Sequence, residues 1–378
     1  MLVKLVNLTA LDISRNQIAN VDVLAKLINL RQLDISENNI TNIIKLVALV
    51  NLQQFNASKN NISKIDNLAK LINLKQLDIS ENQILSIDKL ANLNQLQRLL
   101  AKGNKISNIA NITELIGLQQ LDVSGNKISK INSISSLINL QQLDVSKNLI
   151  SNIDNMANLV NLKKLDIGGN KITKIDCLKK LINLQQLDLS YCIFDNQNLF
   201  SCKFYSQICY LSICNTQIQN IDFLQYCRFL QTLILNDNYL CDINILKCCW
   251  RLKTLVLNNN CIQEVNSVRS LGKLKRFEIE NNYVQDFTPL ANHKHFLKYK
   301  ILNQQIPTQS QKQQFVKSDI IKKSFYKIHS TKNRNIKFKN QLQIVKTEFE
   351  SQKLKILKNF IVELDLLVII INSEIWTQ

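Results

Sequence analysis

The chain has 378 residues, 46% of them hydrophobic, and 47 Lys and Arg against 29 Asp and Glu, a formal net charge of +18. That apolar content excludes a chain disordered throughout, and six glycines with two prolines exclude a collagen-like one. Charge is uneven: residues 1–306 hold 34 Lys/Arg and 23 Asp/Glu, net +11, whereas residues 307–378 hold 13 and 6, net +7 in less than a quarter of the length.

A pattern L-x-x-L-x-L-x-x-N-x-I recurs from the start of the chain. Its asparagines are Asn16, Asn38, Asn60, Asn82, Asn104, Asn126, Asn148 and Asn170, each 22 residues from the last, then Asn238, Asn260 and Asn282 after an interruption. Met1 falls at the position of Val23, in mid-repeat, without the polar capping element that the ends of stacked arrays need. We therefore expect either that the sheet edge is protected by something else or that the chain begins inside a longer protein. The first residues already fit the repeat and lack the charged start and apolar stretch of a secretory signal.

The second repeat shows how each unit folds. Leu33 and Ile35 alternate with polar Gln32, Asp34 and Ser36, the period of a short strand with one buried face. Ile40, Ile43, Leu46 and Leu49 follow at three-residue steps, which suits a tight return, 3₁₀ in part. One strand and one return per unit predict an α/β solenoid: a horseshoe with a concave parallel β-sheet roughly 65 Å long and short 3₁₀ or irregular convex returns. The ladder asparagine is read as structural, because its amide satisfies turn N–H and C=O groups that have no sheet partner.

Cys192 takes the ninth ladder site and Thr216, 24 residues later, the tenth, so an irregularity is expected over 191–210. Residues 283–306 form a degenerate closing unit, the fourteenth, with Gln304 at the ladder site, and Pro307 ends the pattern. Residues 307–340, rich in Lys, Gln, Ser and Asn, read as a basic polar linker. Over 341–372, Val345, Phe349, Ile356, Phe360, Leu364, Leu367 and Ile371 mark one apolar face of a helix, while Glu363 and Asp365 argue against its insertion in a membrane. The longest aliphatic run, Leu366 to Ile371, is far short of the roughly 20 residues a membrane span requires.

All ten cysteines lie between Cys177 and Cys261 with no C-x-x-C pair, and Cys227 and Cys249 stand where Leu27 and Leu49 stand elsewhere. This usage points to free buried thiols in a reducing compartment, cytoplasmic or nuclear, rather than to zinc.

On the concave face, the position of Asp34 reads Asp12, Asp34, Asn56, Asp78, Leu100, Asp122, Asp144, Asp166, Asp188, an acidic strip. Lys64, Lys105, Lys127, Lys130, Lys171 and Lys174 lie on the returns instead. A strip spelled so uniformly reads as a duplicated unit rather than a tuned site. The fifth repeat breaks it with Arg98, Leu100 and Lys102. Farther on, Tyr210, Thr232, Ile234, Thr254, Val256, Arg276 and Glu278 face inward, and Ile234 with Val256 would form an apolar contact patch rimmed by polar groups, to which Trp250 at one rim could add. The alternative is drift in a degenerate array.

The three histidines, His293, His295 and His329, lie in the closing unit or the tail, and no phosphate loop, nucleophile elbow or metal spacing occurs. No enzyme chemistry, cofactor, metal or small-molecule substrate is expected. The inner face lacks the aromatics and cations used for base stacking, so nucleic acid is not the expected partner, and binding to nucleic acid or an anionic surface through the basic tail stands only as an alternative.

The 22-residue unit L-x-x-L-x-x-L-D-[IV]-S-x-N-x-I-x-x-I-x-x-L-x-x-L, over residues 1–306, resembles one class of leucine-rich repeat, found in regulatory subunits of type-1 protein phosphatase, related axonemal proteins and bacterial internalins. The resemblance implies the horseshoe fold and a partner protein on the inner face, with a phosphatase catalytic subunit as one such partner. Arg334, Ile336 and Phe338 are similar to the short basic–aliphatic–aromatic docking motif of phosphatase partners. The sequence therefore describes a non-enzymatic scaffold or adaptor, with regulation of a type-1 phosphatase as the narrower alternative.

Overall fold

The computed structural model describes residues 5–194, 206–293, 298–301 and 304. The expected linker over 307–340, the helix over 341–372 and Arg334, Ile336 and Phe338 lie outside the described residues, as do 195–205 within the expected irregularity.

Fourteen three-residue strands, from β1 (Ala10–Asp12) to β14 (Lys298–Lys300), form one parallel sheet in strict sequence order. The middle and later strands of the sheet are β5 (Arg98–Leu100), β6 (Gln120–Asp122), β7 (Gln142–Asp144), β8 (Lys164–Asp166), β9 (Gln186–Asp188), β10 (Tyr210–Ser212), β11 (Thr232–Ile234), β12 (Thr254–Val256) and β13 (Arg276–Glu278). Register repeats from coil to coil, as in Asp144↔Asp166 and Ile234↔Val256, so equivalent residues stack in rows. Each described return is a five-residue 3₁₀ helix such as Asp22–Lys26 or Asp154–Asn158, and among the described residues there is no α-helix. The three-residue apolar spacing matches the 3₁₀ turn and brings Leu46, Leu68 and Leu90 into the column between sheet and returns. Leu30, Ile35, Ile40, Leu46 and Leu49 are all fully buried, and their equivalents continue the column to Ile279. No helix among the described residues is long and apolar enough to cross a membrane.

The ladder asparagines do the work expected of them. Asn148 donates to the Val123, Val145 and Ser146 carbonyls at 2.9, 3.0 and 3.1 Å, and its own Oδ1 accepts from the Ile128 N–H at 2.9 Å. The substitutes keep part of the pattern. The Cys192 thiol donates to the Ile167 carbonyl at 3.4 Å, Thr216 leans on Asn238 at 3.1 Å, and Gln304 donates to Ile279 at 2.7 Å while accepting from the Val284 N–H. The residue before the ladder site is left-handed, with φ near +53° at Glu37 and Lys147 and glycine at Gly103, Gly125 and Gly169.

A second asparagine ladder, absent from the sequence reading, runs along the rim where returns enter strands. Asn51 donates to the Ile28 carbonyl, Asn73 to Val50, Asn139 to Ile116, Asn161 to Ile138 and Asn183 to Val160, each at 2.9 or 3.0 Å. These residues carry the same 22-residue spacing, which was the available signal.

Candidate interaction surface

The concave face divides into a repetitive half and a varied half. Over β1 to β5 it forms an open hollow of about 600 Å³ lined by the Gln and Asp rows and by Arg98 and Leu100. A second hollow of about 340 Å³ covers β6 to β10 and ends on Tyr210.

The acidic strip is partly a folding device. Asp34, Asp78, Asp122, Asp144 and Asp188 each accept the backbone N–H two residues on, at 2.8–2.9 Å, closing the bend that leaves the strand. Asp side chains make such local bonds readily. Stacking at strand spacing then crowds the carboxylates. Burial, reinforced by Asp144 and Asp188, pushes Asp166 up to about 7, against the bond from the Gly168 N–H. Burial likewise raises Asp144, although Lys102 and the Ser146 bonds oppose it. Arg98 and Lys102 are exposed and Leu100 half-buried, and of the two cations Lys102 is the one that favours the ionised form of Asp144.

In the varied half, β10 to β13 carry Tyr210, Thr232, Ile234 and Thr254 half-buried and Arg276 exposed. The expected apolar patch needs correction. Val256 is only 3% exposed, because it sits in register between Ile234 and Glu278 in the row of the curved sheet. Glu278 is also buried, under Arg276, whose Nε donates to it at 2.9 Å. Burial opposes its ionisation, but Arg276 and Asn258 hold its carboxyl below the usual range. What the strip offers a partner is therefore a phenol, two threonine hydroxyls, part of Ile234 and a guanidinium. Burial, then the Asp188 charge, raises the Tyr210 phenol, which stays a neutral donor at physiological pH.

Trp250 lies in the turn ahead of β12, beside this strip rather than in it. The Arg251 guanidinium stands 4.7 Å from its ring centroid and 4.6 Å from that of Phe229, and the Lys273 ammonium is 5.0 Å from Trp250. Cys177, Cys192, Cys227 and Cys249 are buried in the column, and burial pushes the Cys177 and Cys249 thiols up to about 12, which makes them inert at neutral pH. Cys209, Cys241 and Cys261 are only partly covered and Cys248 is exposed, so the expectation of buried thiols holds for part of the set. No cluster of His, Cys, Asp or Glu fit to hold a metal occurs among the described residues.

The family description "Leucine Rich repeats (2 copies)" matches residues 50–92 and 160–199, and "Leucine Rich repeat" matches 4–25 and 26–43. Among solved structures, an internalin of Listeria monocytogenes is 27% identical over 80% of this chain and 89% of its own, with a TM-score of 0.74. A leucine-rich repeat protein of Leptospira interrogans is 22% identical over 83% and 89%, with a TM-score of 0.65. A plant peptide hormone receptor in complex with RGF2 is 20% identical over 80% and 56%, with a TM-score of 0.63. No curated protein sequence matches the chain. The chain is a leucine-rich repeat protein with internalin-like repeats.

Proposed function

We propose that this chain is a non-enzymatic scaffold that binds another protein along its concave strip, centred on β10 to β13. One observation carries the reading: the uniform aspartate row gives way there to Tyr210, Thr232, Ile234, Thr254 and Arg276, a varied polar–aromatic set on an open sheet face. Tyrosine and arginine are the side chains most enriched at binding hot spots. A cytoplasmic setting belongs to the same reading, supported by cysteines that replace leucine in the column at Cys227 and Cys249.

The test is capture of protein partners by the purified chain, compared with a variant carrying Tyr210→Ala, Thr232→Lys and Thr254→Lys. We expect the triple variant to weaken a specific partner at least ~30-fold, since hot-spot truncation costs about 2 kcal/mol or more. The convex substitution Lys127→Gln should leave it intact. Equal loss from both, or from neither, contradicts the reading. The narrower form, in which the partner is a type-1 phosphatase catalytic subunit, rests on the repeat resemblance and on Arg334, Ile336 and Phe338. It requires direct binding of that subunit, weakened by Phe338→Ala.

A further inference from the structure

One rim of the solenoid carries an apolar row that neither the core nor the concave strip uses. In the turn between return and next strand, the early coils carry an aliphatic side chain, Ile28, Val50 and Ile72 and then Ile116, Ile138, Val160 and Ile182, with Asn94 the break between the two stretches; farther on the same position holds Arg228, Trp250 and Gly272. These aliphatic side chains are 43–64% exposed, whereas their sequence neighbours Leu27, Leu49 and Leu71 are fully buried. The rim asparagines tie neighbouring turns together within each stretch, so the aliphatic side chains project as a ridge in two parts, Ile28 to Ile72 and Ile116 to Ile182. Contiguous exposed apolar surface of this kind marks a binding site.

Charge on the same rim is one-sided. Within three residues of each ridge position, over eleven turns from 25–31 to 269–275, the sequence places fourteen Lys or Arg and a single carboxylate, Glu114. The cations flanking the ridge, such as Lys26, Arg31, Lys70, Lys75 and Lys163, are exposed, while Lys179 is paired with Asp176 at 2.7 Å. The other carboxylates are elsewhere, on the concave strip, at the bends that leave the strands, as with Glu37 and Glu81, and around the starts of the returns. Toward the C-terminal coils the row position is taken by exposed Trp250, with Tyr226 and Phe229 exposed on the coil before it and Arg251 stacked between the Phe229 and Trp250 rings.

We infer that this rim is a docking edge for an anionic lipid bilayer. Aliphatic tips at the headgroup–acyl boundary, cations level with lipid phosphates and a tryptophan at one end are what an interfacial surface requires. A second copy of the chain fits poorly, because cations would oppose cations across the contact. Nucleic acid fits poorly too, because the rings on which bases could stack are confined to one end of the rim, at Tyr226, Phe229 and Trp250, while the rest is aliphatic. This edge is separate from the concave strip, so a membrane-held scaffold keeps its inner face free.

The test is co-sedimentation of the full chain with phosphatidylcholine vesicles, with and without phosphatidylserine, at ~0.1 M salt. Expected is partition onto phosphatidylserine vesicles that falls with added salt. It should fall ~10-fold or more in Ile138→Ser with Ile182→Ser, and about fivefold for each of Lys70→Gln and Lys75→Gln. Unchanged thermal unfolding and unchanged self-association, measured without vesicles, must accompany these losses. Vesicle binding equal in wild type and rim variants would assign it to the basic tail, which those variants leave intact, and overturn the inference. So would concentration-dependent dimerisation abolished by the isoleucine pair, or rim-dependent binding to duplex nucleic acid without binding to vesicles. Because the concave strip is untouched in every variant, failure here leaves the scaffold reading standing, and failure of that reading leaves this one.

Discussion

Replacing Asn148 with alanine is expected to destabilise the solenoid by about 2–4 kcal/mol. The side chain is 5% exposed and makes four hydrogen bonds. Their fates differ. The Val123 and Val145 carbonyls are each shared with a neighbouring ladder residue, Asn126 and Asn170, so each keeps one donor. The Ser146 carbonyl also accepts the Gly125 N–H. Only the Ile128 N–H loses its sole acceptor, inside a column where water cannot replace it. An orphaned buried donor costs about 1–3 kcal/mol, and the three weakened acceptors add to that. The rim gives the control: Asn139→Ala removes one bond to the Ile116 carbonyl at an exposed site and should cost under about 1 kcal/mol. Urea unfolding of the two variants beside wild type checks both; equal, small losses would contradict the account of the ladder.

The carboxylate row predicts stability that falls as pH rises. The Asp166 carboxyl ionises at 3.8 in the unfolded chain and near 7 in the folded one. The folded state therefore holds the proton more tightly between these values. This group's penalty is absent below about pH 4, grows through the window from 4 to 7, and is complete above it. Asp144 shifts in the same direction and adds to the trend. Partial access to water limits the effect of Asp166 to on the order of 2 kcal/mol. Asp166→Asn should then raise the urea midpoint at pH 8 and leave it near wild type at pH 4. The chain already contains the precedent. Asn56, in the same row, still accepts the Ser58 N–H at 3.1 Å and donates to Asp34 at 2.8 Å. A variant no more stable at pH 8 than wild type would show that the carboxylates remain hydrated and fully ionised.

Repeats are legible because one spacing is written many times, broken by a single 24-residue step from Cys192 to Thr216. The strand alternation around Leu33 and Ile35, the three-step return through Ile40 and Leu46 and the ladder at Asn38 each stand in the sequence of a single unit. What failed to show was anything set by one coil leaning on the next. Val256 alternates as an outward residue should, yet Ile234 and Glu278 close over it in the folded row. The aspartates read as surface charge, and their bonds to the N–H two residues on become visible only with the bend in place. Asn51 and its equivalents were written at the same spacing as Asn60, but their acceptors lie 23 residues back, on the preceding coil. The apolar ridge hid for a related reason: in Leu-Ile-Asn-Leu, one residue of an aliphatic pair is buried and the other exposed, and composition cannot separate them.

The central claim is that a protein partner lies on the concave strip. A photo-crosslinking amino acid placed at Thr232, and separately at Lys127 on the convex side, tests it most directly in the native cell. The account predicts a discrete cross-linked species of higher mass from position 232 and none from position 127. Cross-links from 127 alone, or none from 232 under conditions where a partner co-purifies, would contradict it.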